Sequence, residues 1–186
     1  MTGQISILGI AGSLREHSYN RGLIRAAQKC ALNNAVITPF DLHDIPPYDA
    51  DVEAKGDPLP VVRLKDAIRK ADALLIATPE YNYGVPGVLK NALDWASRPA
   101  GSSVLMSKPI AIMGASTGRF GTVRAQLALR SVLLATQSLV LPSPEVLVTQ
   151  AASKFDAQGN LTDKDTQQRV CHLVEALVAW TTKFKQ

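Results

Sequence analysis

A chain of 186 residues, 46% of them hydrophobic, with a mean hydropathy of +0.04, suits one domain over residues 1–186, large enough to bury both faces of a sheet under helices. The net charge of +4 is spread from Arg15 to Lys185 with no run longer than the pair Arg69-Lys70; no nucleic-acid stripe is expected, only a mild attraction for small anions such as phosphorylated ligands. The opening MTGQISILGIAGS has neither a basic n-region nor a long apolar core, so we expect a cytoplasmic protein without signal peptide or membrane span.

Short β-rich apolar runs alternate with longer segments of helical period, the pattern of βαβ units and a parallel sheet covered on both faces. The first strand is Gln4–Ile10. Ser18 is placed to cap the helix that follows, whose apolar residues Leu23, Ala26, Ala27, Cys30 and Ala31 keep helical spacing. The second strand, Ala35–Phe40, leads into Asp41–Pro58, rich in proline and aspartate. This segment reads as a solvated loop, because the D-x-D-x-D-G spacing of a cation site is missing. Val61, Leu64, Ile68 and Ala71 mark the second helix, with Pro60 at its start. The third strand (Ala73–Thr78), third helix (Val88–Ala96), fourth strand (Pro109–Met113) and fourth helix (Thr122–Thr136) follow. A last strand near Leu139–Leu141 resumes at Val146–Val148. Pro142 and Pro144 interrupt it, which suits an edge, since proline gives no ladder donor. The final helix starts at Thr162, with Asp165 as a capping-box-like partner, and carries Val170, Leu173, Val174, Leu177 and Val178 on one face. Five strands and five helices in alternation describe an α/β three-layer sandwich.

Cys30 and Cys171 lack CxxC or metal spacing and read as small buried apolar residues. The three histidines, His17, His43 and His172, are far apart in the chain, so no metal site is expected.

In an open parallel sheet, ligands bind beyond the carboxyl ends of the strands where the strand order reverses, between the first and third strands in the order 2-1-3-4-5. The loops placed there are GSLREHSYN, TPEYNYGVPG and GASTGRFG, all rich in polar and small residues. In the first, Ser13, Arg15, Ser18 and Asn20 bring donors to the exposed amides of a helix start. Glycine is absent where a pyrophosphate would need close backbone approach, which points to a monophosphate ester; a well-capped helix without a ligand is the other reading. In the second, Pro79, Glu80, Tyr81, Asn82 and Tyr83 combine a rigid turn, aromatic rings and free amides, fit for the edge and face of a flat heterocycle. The alternative is that the tyrosines pack on the following helix. In the third, Ser116, Thr117 and Gly118 form a small-residue turn able to approach a planar ligand.

GSLREHSYN followed by TPEYNYGVPGVLKNALDWASRP resembles the NADPH-dependent FMN reductase family of flavodoxin-like proteins, more narrowly its chromate, quinone or azo reductase branch. The likeness runs from the first strand through GASTGRFGTVRAQLALR to the final helix. It implies a flavodoxin-like sandwich with a five-stranded parallel sheet in order 2-1-3-4-5 and non-covalent FMN. The FMN phosphate would lie in the loop of Ser13, Leu14, Arg15, Ser18, Tyr19 and Asn20; the ring would lie against Pro79, Glu80, Tyr81 and Asn82, with Ser116 on its other side. NADPH or NADH would reduce the flavin, and a quinone, azo compound, nitroaromatic or chromate would reoxidise it in a ping-pong cycle. No catalytic acid, base or nucleophile is required, because the flavin carries the chemistry. Arg15 is expected to meet either the FMN phosphate or the phosphate of NADPH. Relatives often carry paired glycines where this chain has Gly121-Thr122. A homodimer or homotetramer is also implied, with contacts from the helices carrying Trp95, Arg124 and Leu127, although Trp95 suits a core position equally. Two neighbouring functions compete: a flavodoxin-type electron carrier, which the basic charge and GSLREHSYN count against, and a reductase that releases reduced FMN to a monooxygenase.

Overall fold

The computed structural model describes residues 4–31 and 34–185. Its centre is the strand β1 (Ile5–Ala11), flanked by β2 (Ala35–Phe40) and β3 (Ala73–Ala77). Outside β3 lies β4 (Pro109–Ala115), followed by the short β5 (Leu139–Val140). The order is β2-β1-β3-β4-β5, every pairing is parallel, and β6 (Val146–Val148) also pairs with β4. This is the flavodoxin-like order that the resemblance implied. The break at Pro142 and Pro144 is also found: β5 pairs with Pro109 and Ile110, whereas β6 pairs with Met113 to Ala115. The two pieces line one edge of β4 in succession.

Alternating strand residues sort the core into two layers. Ile5, Ile7, Leu75 and Met113 pack against α1 (Tyr19–Cys30) and α6 (Lys164–Phe184), through Leu23, Ile24, Val170 and Leu173. Leu8, Ile10, Leu74, Ile76, Ile110 and Ile112 face α3 (Leu59–Lys70), α4 (Gly87–Ala96) and α5 (Val123–Ala135). β3 is buried along its whole length, which is why it reads as an unbroken apolar run. Burying each such leucine or isoleucine contributes roughly 1.5–3 kcal/mol. The sheet is therefore a firm platform for the loops at its carboxyl end.

Three expectations are corrected, and the open alternative at Trp95 is decided. Asp41–Pro58 contains one helical turn, α2 (Ala50–Glu53), capped by Asp49. The segment is tied to α4: Pro46 O accepts from Asn91 Nδ2 (2.8 Å) and from Trp95 Nε1 (2.9 Å). Trp95 is fully buried there, a core residue rather than a contact between subunits. The cap of α6 is Asp163, whose Oδ1 accepts from Thr166 N at 3.0 Å, so the Thr162–Asp165 pair does not form it. Finally, Cys30 and Cys171 form a disulfide, with Cα atoms 5.0 Å apart. The two residues stand 141 positions apart and meet because α1 and α6 lie side by side on one face of the sheet, a proximity that spacing in the chain does not disclose.

Among the described residues, no group of three or more His, Cys, Asp or Glu side chains could hold a metal ion. No described helix is long and apolar enough to cross a membrane.

Candidate functional site

The three polar loops meet at the carboxyl end of the sheet. Gly12 N donates to Ala77 O (2.9 Å) and Thr78 N to Met113 O (2.9 Å), so the loops after β1, β3 and β4 leave the sheet already tied together. Two glycines permit this crowding. A Cβ on Gly12 would lie 3.1 Å from Leu89 and 3.2 Å from Pro79, and one on Gly114 would fall 2.1 Å from Thr122 Oγ1 and 2.3 Å from Thr78 O. A side chain at Gly114 would force the β3 and β4 loops apart.

The loop after β1 is built around the start of α1. Ser18 N donates to Arg15 O (3.1 Å) to close a turn, and Ser18 Oγ accepts from Asn20 N (3.2 Å) as the N-cap. Ser13 is buried; its carbonyl accepts from Arg21 Nε (3.1 Å), and Arg21 in turn forks onto both carboxylate oxygens of Asp41 at 2.9 Å. Burial raises the Asp41 pKa, but the bonds from His43 N and Arg21 outweigh it and hold the carboxyl below its ordinary value. Arg15 is exposed and lies over the Tyr19 ring, with its Cζ 5.2 Å from the centroid, while Tyr19 rests on Phe155. Leu14 is exposed beside it.

Asn20 is placed differently from the donor that its type suggests. Its side chain is buried, donating to Ala115 O (3.0 Å) and accepting from Ala115 N (2.9 Å). The amide thus pairs in both directions with the last residue of β4 and ties the start of α1 across the sheet. It does not point to the loop surface.

The loop after β3 is a tight hairpin. Tyr81 N donates to Gly84 O (3.3 Å) and Gly84 N to Tyr81 O (3.0 Å), and the two residues between, Asn82 (φ 49°) and Tyr83 (φ 66°), are both left-handed. Two successive positive φ values define a type I′ turn, a conformation that asparagine tolerates and tyrosine seldom adopts. The turn leaves Tyr81, Asn82 and Tyr83 exposed.

Glu80 faces the other way. Its carboxylate accepts from Arg124 N (2.9 Å) and Ala125 N (3.1 Å) at the start of α5, and from Arg124 Nη1 (3.3 Å). Thr122 precedes that helix without a side-chain cap of its own, so Glu80 supplies the cap from 44 residues away. A carboxylate at this end also complements the helix dipole. Arg124 is then held over the Tyr83 ring (4.0 Å) and the Phe120 ring (4.9 Å).

In the loop after β4, Ser116 Oγ accepts from Gly118 N (3.1 Å), Ser116 N donates to Val148 O (3.0 Å), and Ser116 O accepts from Ala151 N (3.0 Å). Three interlocked loops therefore surround the start of α1. Of the eleven residues singled out, the structure brings Ser13, Leu14, Arg15, Ser18, Tyr19, Pro79, Tyr81, Asn82 and Ser116 to the loops themselves; Asn20 and Glu80 serve as struts between them.

The donor chemistry here fits a phosphate monoester. Among the described residues, the amides of Ser13, Leu14, Arg15 and Tyr19 find no protein acceptor. The first turn of α1 holds no acidic residue, so the positive end of its dipole is left for an external anion.

Residues 5–153 match the model of the family described as NADPH-dependent FMN reductase. An NAD(P)H-dependent FMN reductase of Pseudomonas aeruginosa is 45% identical over 185 residues, covering 100% of both chains. A quinone reductase of Pseudomonas putida is 38% identical, over 97% of this chain and 96% of its own. Among solved structures, a flavoenzyme NAD(P)H:(acceptor) oxidoreductase from Paracoccus denitrificans superposes with a TM-score of 0.87 at 37% identity, over 96% of this chain and 98% of that one.

Proposed function

The chain belongs to the NADPH-dependent FMN reductase family, and from that premise we propose that it is an FMN-dependent NAD(P)H oxidoreductase, a single FMN-binding domain that passes electrons to quinones or similar acceptors. The observation that carries this reading is the start of α1, where four unpaired amides and an acid-free first turn sit inside loops locked at the carboxyl end of the sheet. When bound, FMN would supply the redox chemistry that links the nicotinamide donor to the acceptor.

The chain's own part is binding and orientation. The amides of Ser13, Leu14, Arg15 and Tyr19 would hold the phosphate, and the Ser18 hydroxyl, which already accepts from Asn20 N, would donate a hydrogen bond to the same anion. Arg15 adds a charge-assisted contact from the rim. Asn82, whose amide has no acceptor among the described residues, would offer backbone to the ring edge between Pro79 and Tyr81 on one side and Ser116 on the other. Glu80 and Asn20 are positioning residues: the first fixes the hairpin against α5, the second fixes the phosphate loop against β4. No side chain is assigned the role of acid, base or nucleophile.

Quinones are the acceptor class favoured by the named relatives. A cytoplasmic homodimer or homotetramer belongs to the same proposal, supported by exposed apolar Leu127 and Leu134 on α5 and Phe120 just before it.

Steady-state kinetics test the reading. NADPH varied at several fixed concentrations of a benzoquinone gives parallel double-reciprocal lines if the donor leaves before the acceptor binds. Intersecting lines, or no turnover with either NADPH or NADH, overturn it.

A further inference from the structure

The disulfide between α1 and α6 has no part in the proposed reaction, yet it is neither sealed in the core nor without chemistry around it. Cys30 and Cys171 are both partly exposed and together form one wall of a cavity of about 190 Å³. Arg25, Lys29, Asn160 and Gln167 also line it, and no carboxylate does. Arg25 is oriented by neutral partners, with Nε on Asn160 Oδ1 (3.0 Å) and Nη2 on Gly159 O (2.8 Å). Asp156 feels its charge, but its oxygens accept from Asn160 and from Gln158 N instead. Lys29 stands in the last turn of α1, next to Cys30. Two cations therefore border two sulfurs in a recess open to solvent.

Thiol–disulfide exchange needs these features. The attacking species is a thiolate, the departing sulfur is a thiolate, and nearby cations stabilise both. We infer that Cys30–Cys171 is a reversible exchange site whose cavity takes a small anionic thiol of the glutathione class. In the first step the thiolate attacks one sulfur of the pair, forms a mixed disulfide with that cysteine and expels the other cysteine as a thiolate. A second molecule of the small thiol then attacks its own kind's sulfur and frees the first cysteine. Two small thiols become one disulfide, the protein pair gains two electrons, and the two protons released end on Cys30 and Cys171. The reverse sequence, driven by the oxidised small thiol, closes the pair. In a reducing compartment such a pair is turned over rather than permanently locked. The inference does not depend on the flavin reading, and its test does not use flavin turnover.

The test equilibrates the full-length protein against a series of ratios of reduced to oxidised glutathione, then quenches with acid, alkylates free thiols and measures intact mass. The expected result is a smooth passage from closed pair to two thiols across the series, together with a glutathione adduct at Cys30 in Cys171→Ser. Lys29→Gln should slow reduction by glutathione roughly threefold to tenfold more than reduction by 2-mercaptoethanol, the scale of losing one steering charge, because only glutathione adds carboxylates to the thiolate that both reagents share. A pair that stays closed at every ratio, or thiols that stay free under oxidised glutathione, overturns the exchange site. Equal slowing of both thiols by Lys29→Gln overturns the anion-accepting cavity.

Discussion

Replacing Asn20 by alanine removes the two hydrogen bonds, of 3.0 and 2.9 Å, that join α1 to the end of β4. Both partner groups belong to one buried residue, Ala115, and the substitution supplies no replacement for either. An unsatisfied buried amide or carbonyl costs about 1–3 kcal/mol, so the pair together costs about 2–4 kcal/mol, allowing for partial access of water. The penalty arises in the protein itself and not in a contact to the ligand, so it should be the same in the flavin-free protein as in the loaded one. Urea denaturation of both forms, wild type beside Asn20→Ala, measures this. The slope of the transition should stay constant while the midpoint falls. A loss confined to the FMN-loaded form would refute the argument and return Asn20 to direct phosphate contact. A loss below about 0.5 kcal/mol in both forms, the level of an ordinary surface substitution, would deny the strut altogether.

Glu80→Ala strips the cap from α5 and leaves Arg124 N and Ala125 N unpaired, an expected cost of about 2 kcal/mol; Glu80→Gln should recover part of it, since its carbonyl oxygen still accepts. Equal stability of all three proteins in urea would show that the carboxylate does not cap the helix. Arg15→Ala should weaken FMN retention on gel filtration or raise the KM for NADPH, and unchanged values for both would remove Arg15 from the site. The Asp156 pKa is depressed mainly by the hydrogen bond from Asn160 N. Its folded value lies below its unfolded value, so its stabilisation is present at neutral pH and is lost as pH falls from about 4 through the lowered folded value. Asp156→Asn should therefore lose less stability than wild type over that range, and parallel curves would refute the assignment.

The framework was legible because its signals are local. β3 is a continuous apolar run between helical stretches, Ser18 stands one residue before α1, and the prolines in the last strand forbid an unbroken ladder. The loop sequences also disclosed which loops meet, since chain order and strand order together bring three polar loops to one end of the sheet. What stayed hidden depends on residues distant in the chain. Asn20 reads as a ligand donor until β4 is seen to end against it, 95 positions away. Glu80 reads as part of the ring wall until α5 is found to start without a cap. Cys30 and Cys171 fill apolar positions of two separate helices, and no spacing rule reports that those helices are neighbours. Two local signals were passed over: Asp49, a capping residue ahead of a single helical turn too short to show a period, and Asp163, which caps α6 one residue beyond the threonine taken as its start.

The absorbance spectrum of the purified protein, before and after anaerobic addition of NADPH without acceptor, tests the central claim most directly. The account predicts a bound flavin spectrum that bleaches on NADPH and returns when a quinone is added. A protein that binds no flavin even after incubation with FMN, or one whose flavin stays oxidised with both NADPH and NADH, would contradict it.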